Sequence, residues 1–157
     1  MYPIWQADQN AIVSFSREYY FLSNFYPAEV YRLDVFDPFP YRTVEHAFQA
    51  AKAINGSDAE AIRMAKTPTE AKLLGRHVTL RSDWDIFKIS VMSQLLLQKF
   101  SIGSPLRERL RATGSNLLIE GNTWGDQVWG CTRFNGEWIG QNLLGIMLMQ
   151  VRDTINR

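Results

Sequence analysis

Residues 43–53, Thr-Val-Glu-His-Ala-Phe-Gln-Ala-Ala-Lys-Ala, constrain this chain more than any other stretch. Alanines 47, 50, 51 and 53 leave almost no bulk, so neighbouring elements can approach this segment closely. The spacing predicts a short helix. Thr43 is a suitable N-cap, because its hydroxyl can accept from an otherwise orphaned N–H of the first turn. Pro40 stands just before it and Asn55-Gly56 just after it, as start and stop signals. On a helical wheel Glu45, Phe48, Gln49 and Lys52 share one face, since positions three, four and seven apart stack over each other. Such a stripe is ordinarily a solvated polar face. In an apolar setting it is also what a catalytic face looks like, and periodicity alone leaves both readings open.

The rest of the chain is read around that helix. Residues 11–16 and 29–34 alternate and are rich in β-branched or aromatic side chains, which predicts short strands. Between them lies the aromatic segment 19–26, carrying Ser23 and Asn24. It reads either as loop-buried packing or as a stacking wall for a flat heterocycle. Residues 57–60 and 67–70 each have a capping-box pattern, with Pro68 at a first helical position and Gly75 as a stop. Ser82 is expected to begin a long core helix through Phe100, and Ser104-Pro105 another ending near Gly114. Residues 116–120 read as a strand, 121–130 as an irregular Gly- and Trp-rich loop, and 131–139 as a short excursion turning at Asn135-Gly136. Residues 140–145 lead into a closing amphipathic helix that ends near Ile155.

Composition narrows the function classes. With 157 residues, 46% apolar and 13% aromatic, the chain is long enough for one compact domain spanning 1–157. A net charge of +1 gives no global case for a nucleic-acid coat or a membrane-surface protein. The basic residues are 12 Arg and 5 Lys, mostly ordinary surface charges, although Arg is the better fork for phosphate. A single cysteine, Cys131, permits no internal disulfide, and two histidines are too few for a His-rich metal centre. No stretch has the roughly 18 apolar residues of a membrane span, and no targeting segment is evident, so a cytoplasmic location is the expectation. No phosphate loop, paired-His metal signature or nucleophile elbow is present.

Three patches combine aromatic, small and ionisable residues. They are Phe21-Leu-Ser-Asn-Phe25, then Val44-Glu-His-Ala-Phe-Gln-Ala-Ala-Lys52, then Trp124-Gly-Asp-x-x-Trp-Gly130 with Gly140-x-Asn-x-Leu-Gly145. In that order and spacing, together with residues 65–75 and the Trp84 helix, the chain resembles the NADAR family of YbiA-like N-glycosidases over nearly its whole length. One departure stands out. Many members carry a basic residue where Gln141 stands, so a cation suited to a phosphate is missing there.

The resemblance implies a compact, helix-rich α+β domain with a small β-sheet. It also implies an N-glycosidase that cleaves the bond between ribose C1 and a base nitrogen, with no cofactor and no metal. The substrate would be a phosphoribosylamino-pyrimidine intermediate of riboflavin synthesis, or guanine bearing ADP-ribose. The partner is thus a nucleotide-like small molecule or an ADP-ribosylated nucleic acid. Breaking such a bond builds positive charge at C1 and the ring oxygen, which a nearby carboxylate stabilises. Glu45 and Asp126 are the candidate carboxylates. Lys52 is the candidate nucleophile, through an imine exchange at C1, or else a phosphate contact. Phe25, Trp124 and Trp129 would stack on the base. Ser23, Asn24, His46, Gln49, Gly125 and Asn142 would complete the substrate side. The alternatives are a binding module that uses the same pocket for ADP-ribose or a nucleotide without turnover, and a protein-interaction domain presenting the Trp-rich loop.

Overall fold

The computed structural model describes residues 1–157 with the exception of Phe36. Among the described residues there are six α-helices, one 3-10 helix and four short strands, an α+β content. The backbone divides into two units, Asn24–Ser104 and Met1–Ser23 with Pro105–Arg157.

The unit Asn24–Ser104 is built on α1 (Val44–Ala51), all eight residues of which are buried. It is covered by α2 (Gly56–Arg63), α3 (Pro68–Gly75) and α4 (Trp84–Lys99). The alanines permit this: three helices pack on one that carries little bulk. Thr43 caps α1 as expected, its side chain accepting from the His46 N–H. At the other end Arg32 Nη1 donates to the Ala50 carbonyl at 3.3 Å, placing a cation where the helix dipole is negative. Asp34 holds that guanidinium at 2.5 Å, in a pair that is almost wholly buried.

Other punctuation is redistributed. The cap of α2 is Asn55, which accepts from Asp58 N, and not Ser57, whose hydroxyl donates to Asn55 instead. Thr67 caps α3, and Glu70 reaches back to the Lys66 N–H. Gly75 lies inside α3 and is not the left-handed stop that its place in the sequence suggests. The long helix starts at Trp84, two residues after Ser82. The strand expected at residues 29–34 reduces to one bridge, Val30 to Tyr41.

The other unit holds the sheet, in the order β1 (Ile4–Trp5), β4 (Glu137–Ile139), β3 (Cys131–Phe134), β2 (Gly121–Asn122). β3 pairs antiparallel with β4 and parallel with β2, while β1 pairs antiparallel with β4. Residues 131–139 are thus a hairpin. Asn135 (φ 49°) and Gly136 (φ 85°) both sit in the left-handed region that a two-residue type I′ turn requires. Residues 11–16 and 116–120 are not strands; they touch through a single bridge, Ile12 to Leu118. The aromatic segment begins as a 3-10 helix, Arg17–Leu22. Helices α5 (Pro105–Arg111) and α6 (Leu143–Ile155) pack on each other. Among the described residues no helix is long and apolar enough to cross a membrane.

Candidate active site

The polar stripe of α1 is buried, which a solvated face would not be. Glu45 is 7% exposed and Gln49 4%. Gln49 Nε2 donates to Glu45 Oε1 at 2.7 Å, and the Glu45 backbone N–H donates to the Asn24 carbonyl. The carboxylate is therefore fixed from its own helix, one turn on. Gln49 Oε1 has no hydrogen-bond partner and lies over Gly75. A Cβ at residue 75 would come 2.0 Å from that oxygen. Gly75 is what lets α3 close on Gln49.

Alanine at 75 would ordinarily favour a helix by about 0.5–1 kcal/mol. Here crowding outweighs propensity, because the buried Gln49 has to leave its bond to Glu45. Gly75→Ala is expected to destabilise the fold by about 1–3 kcal/mol and to lower activity with it. Chemical denaturation and turnover measured on the same preparation check this; a more stable, fully active variant would refute it.

His46 serves the same helix from its other side. Its Nε2 lies 3.1 Å from the Ala65 carbonyl, which can only accept, so Nε2 carries the proton. Nδ1 then accepts from the Thr43 hydroxyl at 2.8 Å. Burial depresses the imidazole pKa below its usual value, consistent with this neutral form. Both ring nitrogens are engaged by the scaffold, and His46 holds α1 in place.

Lys52 continues the turn beyond α1 in helical conformation, keeping its place seven residues from Glu45. Burial, the larger cause, pushes its ammonium below the usual lysine range, and Glu45 opposes this through its negative charge. Lys72, Arg76 and Lys88 add to the depression as neighbouring positive charges. The rings around these groups are Phe48, packed against Trp84 at a 55° tilt with centroids 5.0 Å apart, and Phe25, whose ring lies 6.0 Å from Lys72 Nζ. Asn24 is 8% exposed; its Nδ2 makes only a 3.5 Å contact to Met92 Sδ, and its Oδ1 has no partner. A buried polar atom left so costs about 1–3 kcal/mol, and a donor on a ligand would relieve it. The unit thus brings together Asn24, Phe25, Glu45, Gln49 and Lys52. Trp84, Lys72, Arg76 and Lys88 join them, although sequence reasoning gave those four structural or surface roles. Lys72 lies in the 65–75 stretch, and Trp84 and Lys88 on the Trp84 helix, through which the chain resembles its family; Arg76 stands just outside the first.

In the other unit Asn122 and Asp126 build the Trp-Gly loop. Asn122 Oδ1 accepts from Asp126 N, and its Nδ2 donates to the carbonyls of Asp126 and Cys131. Asp126 Oδ1 accepts from the N–H groups of Val128 and Trp129, both at 3.0 Å. One oxygen of this carboxylate therefore shapes the turn. Gly125 supplies the left-handed step before it (φ 88°). Trp124 is 67% exposed on the same loop, while Trp129 is half-buried. Ser23 closes the 3-10 helix, its N–H donating to Tyr20.

Asn142 was expected to meet the base or ribose, but its side chain is spent inside the protein. It is 0% exposed, Oδ1 accepts from Glu120 N, and Nδ2 donates to the Leu118 carbonyl. It anchors the start of α6. The Cys131 thiol is buried, which raises its pKa to about 11, so it is a poor nucleophile. Among the described residues no group of three His, Cys, Asp or Glu side chains could hold a metal ion.

The chain as a whole is similar to known proteins. The NADAR domain family model matches residues 8–156. N-glycosidase Npun_R5314 of Nostoc punctiforme is 38% identical over 159 residues, spanning 98% of this chain and 90% of that protein. N-glycosidase YbiA of Escherichia coli strain K12 is 34% identical over 154 residues, spanning 94% and 90%. The chloroplastic riboflavin biosynthesis protein PYRR of Zea mays is 36% identical over 146 residues, spanning 85% of this chain but 23% of the plant protein. The NMR structure of E. coli YbiA matches with a TM-score of 0.75 at 32% identity, over 96% of this chain and 88% of that one.

Proposed function

The chain belongs to the NADAR domain family, and on that premise we propose that it is an N-glycosidase acting on a ribosylated base. The bond broken joins ribose C1 to an exocyclic amine. Substrates of this kind are a phosphoribosylamino-pyrimidine and guanine carrying ADP-ribose. The observation that carries the reading is the Glu45–Lys52 stripe: a buried carboxylate fixed by Gln49, sharing a helical face with a half-buried lysine whose ammonium is disfavoured. A solvated surface stripe has neither property. The names of the relatives, N-glycosidases and a riboflavin biosynthesis protein, support the same reaction class.

The chemistry follows from the two groups. A ribosylamine opens when the lone pair of its nitrogen expels the ring oxygen, which takes up a proton and leaves an iminium at C1. The free amine of Lys52 adds to that carbon. Glu45 receives the proton that the new ammonium loses and passes it to the departing amine. The base leaves as a free amine, and C1 is held as an imine on Lys52. Water adds to C1, Glu45 takes its proton, and the sugar leaves as the aldehyde with Lys52 restored. One water is consumed, and one base and one sugar are released. Burial assists twice, by lowering the pKa of Lys52, which raises the share of free amine, and by strengthening Glu45 beside a developing positive charge.

Asp126 lies in the other unit, where one oxygen of its carboxylate holds the turn; whether it takes part in the reaction is tested by removing its charge. Asp126→Asn keeps an oxygen for Val128 and Trp129 but removes the charge. Base release is expected to fall by at least about tenfold with the loop intact; unchanged turnover would remove Asp126 from the machinery. The decisive assay incubates the protein with each of the two substrate types and follows free base by chromatography. Binding without product over a long incubation would replace the enzyme with a nucleotide-binding module.

A further inference from the structure

Lys52 caps the end of α1, so its backbone has no further helical turn to hold it. A short ladder does so instead. The Arg81 N–H donates to the Lys52 carbonyl at 2.9 Å, Ala53 bridges antiparallel to Leu80, and the Ile54 N–H donates to the Thr79 carbonyl at 3.1 Å. On one side Ala53 and Ile54 border a cavity of about 290 Å³, lined also by Arg32, Asn55 and Gly56. A ladder this short, with open space beside it, opens readily unless side chains fix it. Arg81 is pinned in three directions. Its Nε and Nη2 donate to the two oxygens of Asp83 at 2.6 and 3.1 Å, its guanidinium lies 3.9 Å from the centroid of the Phe87 ring, and its Nη1 faces Asp34 Oδ2 at 3.5 Å. Asp34 is the joint. The same carboxylate accepts from Arg32 Nε at 3.0 Å and Nη2 at 2.5 Å, and Arg32 Nη1 donates to the Ala50 carbonyl, two residues before Lys52. The Asp34 side chain is only 4% exposed, so water screens these bonds poorly. Arg81 and Asp83 by themselves would be a surface pair of little worth. Asp34 connects them to the interior, and ties both backbone anchors of the lysine to one carboxylate.

We propose that Asp34 and Arg81 are positioning residues for Lys52. This rests on the reading of Lys52 as the nucleophile of an N-glycosidase and adds what keeps its amine within reach of C1. The two side chains act through the backbone and not on the substrate. They hold the Lys52 carbonyl and the residues after it in one place, so that the long side chain swings from a fixed root. A reacting group displaced by about 1 Å loses on the order of 10²-fold in rate. Binding of the base and the ribose is made by other groups and is left as it was, so the signature is a fall in kcat with KM kept.

D34N leaves a buried guanidinium without its carboxylate and costs more of the fold, so the test is built on Arg81. R81Q takes the guanidinium from Asp34, Asp83 and Phe87 but leaves the backbone N–H of residue 81 and the buried Arg32–Asp34 pair. In R81Q kcat is expected to fall by about tenfold or more with KM within about twofold of wild type. The adduct trapped by borohydride in the first turnover is expected to form more slowly by the same factor. R81K keeps a charge for Asp34 without the fork or the flat stack, and restores part of the loss. Ile62→Val trims the buried core of α2 and, assayed at the same interval below its own Tm, is expected to keep the wild-type kcat. Hydrogen exchange gives a readout that needs no turnover. The amides of residues 54 and 81, which make the ladder, are expected to exchange at least about tenfold faster in R81Q, while those in the middle of α1 stay protected. Wild-type kcat in R81Q, or ladder amides as protected as in wild type, overturns the assignment. An equal loss of kcat in Ile62→Val overturns it too, because the effect would then be one of stability alone. Faster ladder exchange in R81Q, with no cleavage of any substrate by wild type, would retain the clamp on Lys52 and overturn the glycosidase reading instead.

Discussion

Lys52→Ala is expected to reduce release of free base by on the order of 10³-fold or more, the scale seen when a covalent nucleophile is removed. Lys52→Arg is expected to fail equally, since a guanidinium stays protonated and cannot add to C1. Borohydride added during turnover should fix the sugar to the wild-type protein, and peptide mass spectrometry should place the adduct at Lys52. The pH dependence has a definite sign. Only the free amine attacks, so the rate climbs as pH rises through the pKa of Lys52 and levels off above it. Burial and the neighbouring cations lower that pKa, so the climb occurs below the pH at which an ordinary lysine deprotonates. A fully active Lys52→Ala protein would end the assignment. An active wild-type enzyme that never traps would shift the mechanism to direct attack by water with Glu45 as the base.

Glu45→Gln is the second large effect. General acid–base catalysis contributes about 10²–10⁴-fold, and a loss in that range is expected. The replacement has the same shape and can still offer an oxygen to Gln49 Nε2, so the fold should survive with little change in Tm. A second signature separates charge from shape. The carboxylate raises the pKa of Lys52 by its charge. Without it the residual activity should reach its plateau at lower pH than in wild type. A plateau at the same pH would mean that Glu45 and Lys52 do not sense each other.

Local signals carried much of this molecule. The cap at Thr43, the Pro68 start of α3 and the closing helix to Ile155 are all legible in the chain, because short-range chemistry decides them. Burial of Glu45 and Gln49 on that stripe was not legible. It depends on three helices closing on α1, and a wheel cannot tell a buried polar stripe from a wet one. Gly75 shows the difference most clearly. In sequence it reads as a helix stop, and in space it is the gap that Gln49 occupies. The strands were poorly legible for a related reason. At two to four residues they are too short to alternate, and they exist through their pairing partners. The Asn135-Gly136 turn was the exception, a strong hairpin signal whose flanking strands are simply brief. Asn142 looked like a ligand contact because it is polar among glycines. Its actual partners are backbone groups more than twenty positions earlier, Glu120 N and Leu118 O, which no local pattern reveals.

The sheet also sets an order of events during synthesis. Ile4 and Trp5 pair with Ile139 and Trp138, and the Trp5 indole donates to the Gly140 carbonyl. β1 is therefore idle until β4 and Gly140, the latter 135 positions beyond Trp5, have left the ribosome. In between, α1 to α4 can collect around their alanine-rich centre with contacts that span far fewer residues. Loop-closure entropy grows only slowly with length, so the delay is one of time more than of free energy. A nascent chain stalled before residue 137 should already protect the amides of α1 from exchange, while those of Ile4 and Trp5 stay open to solvent.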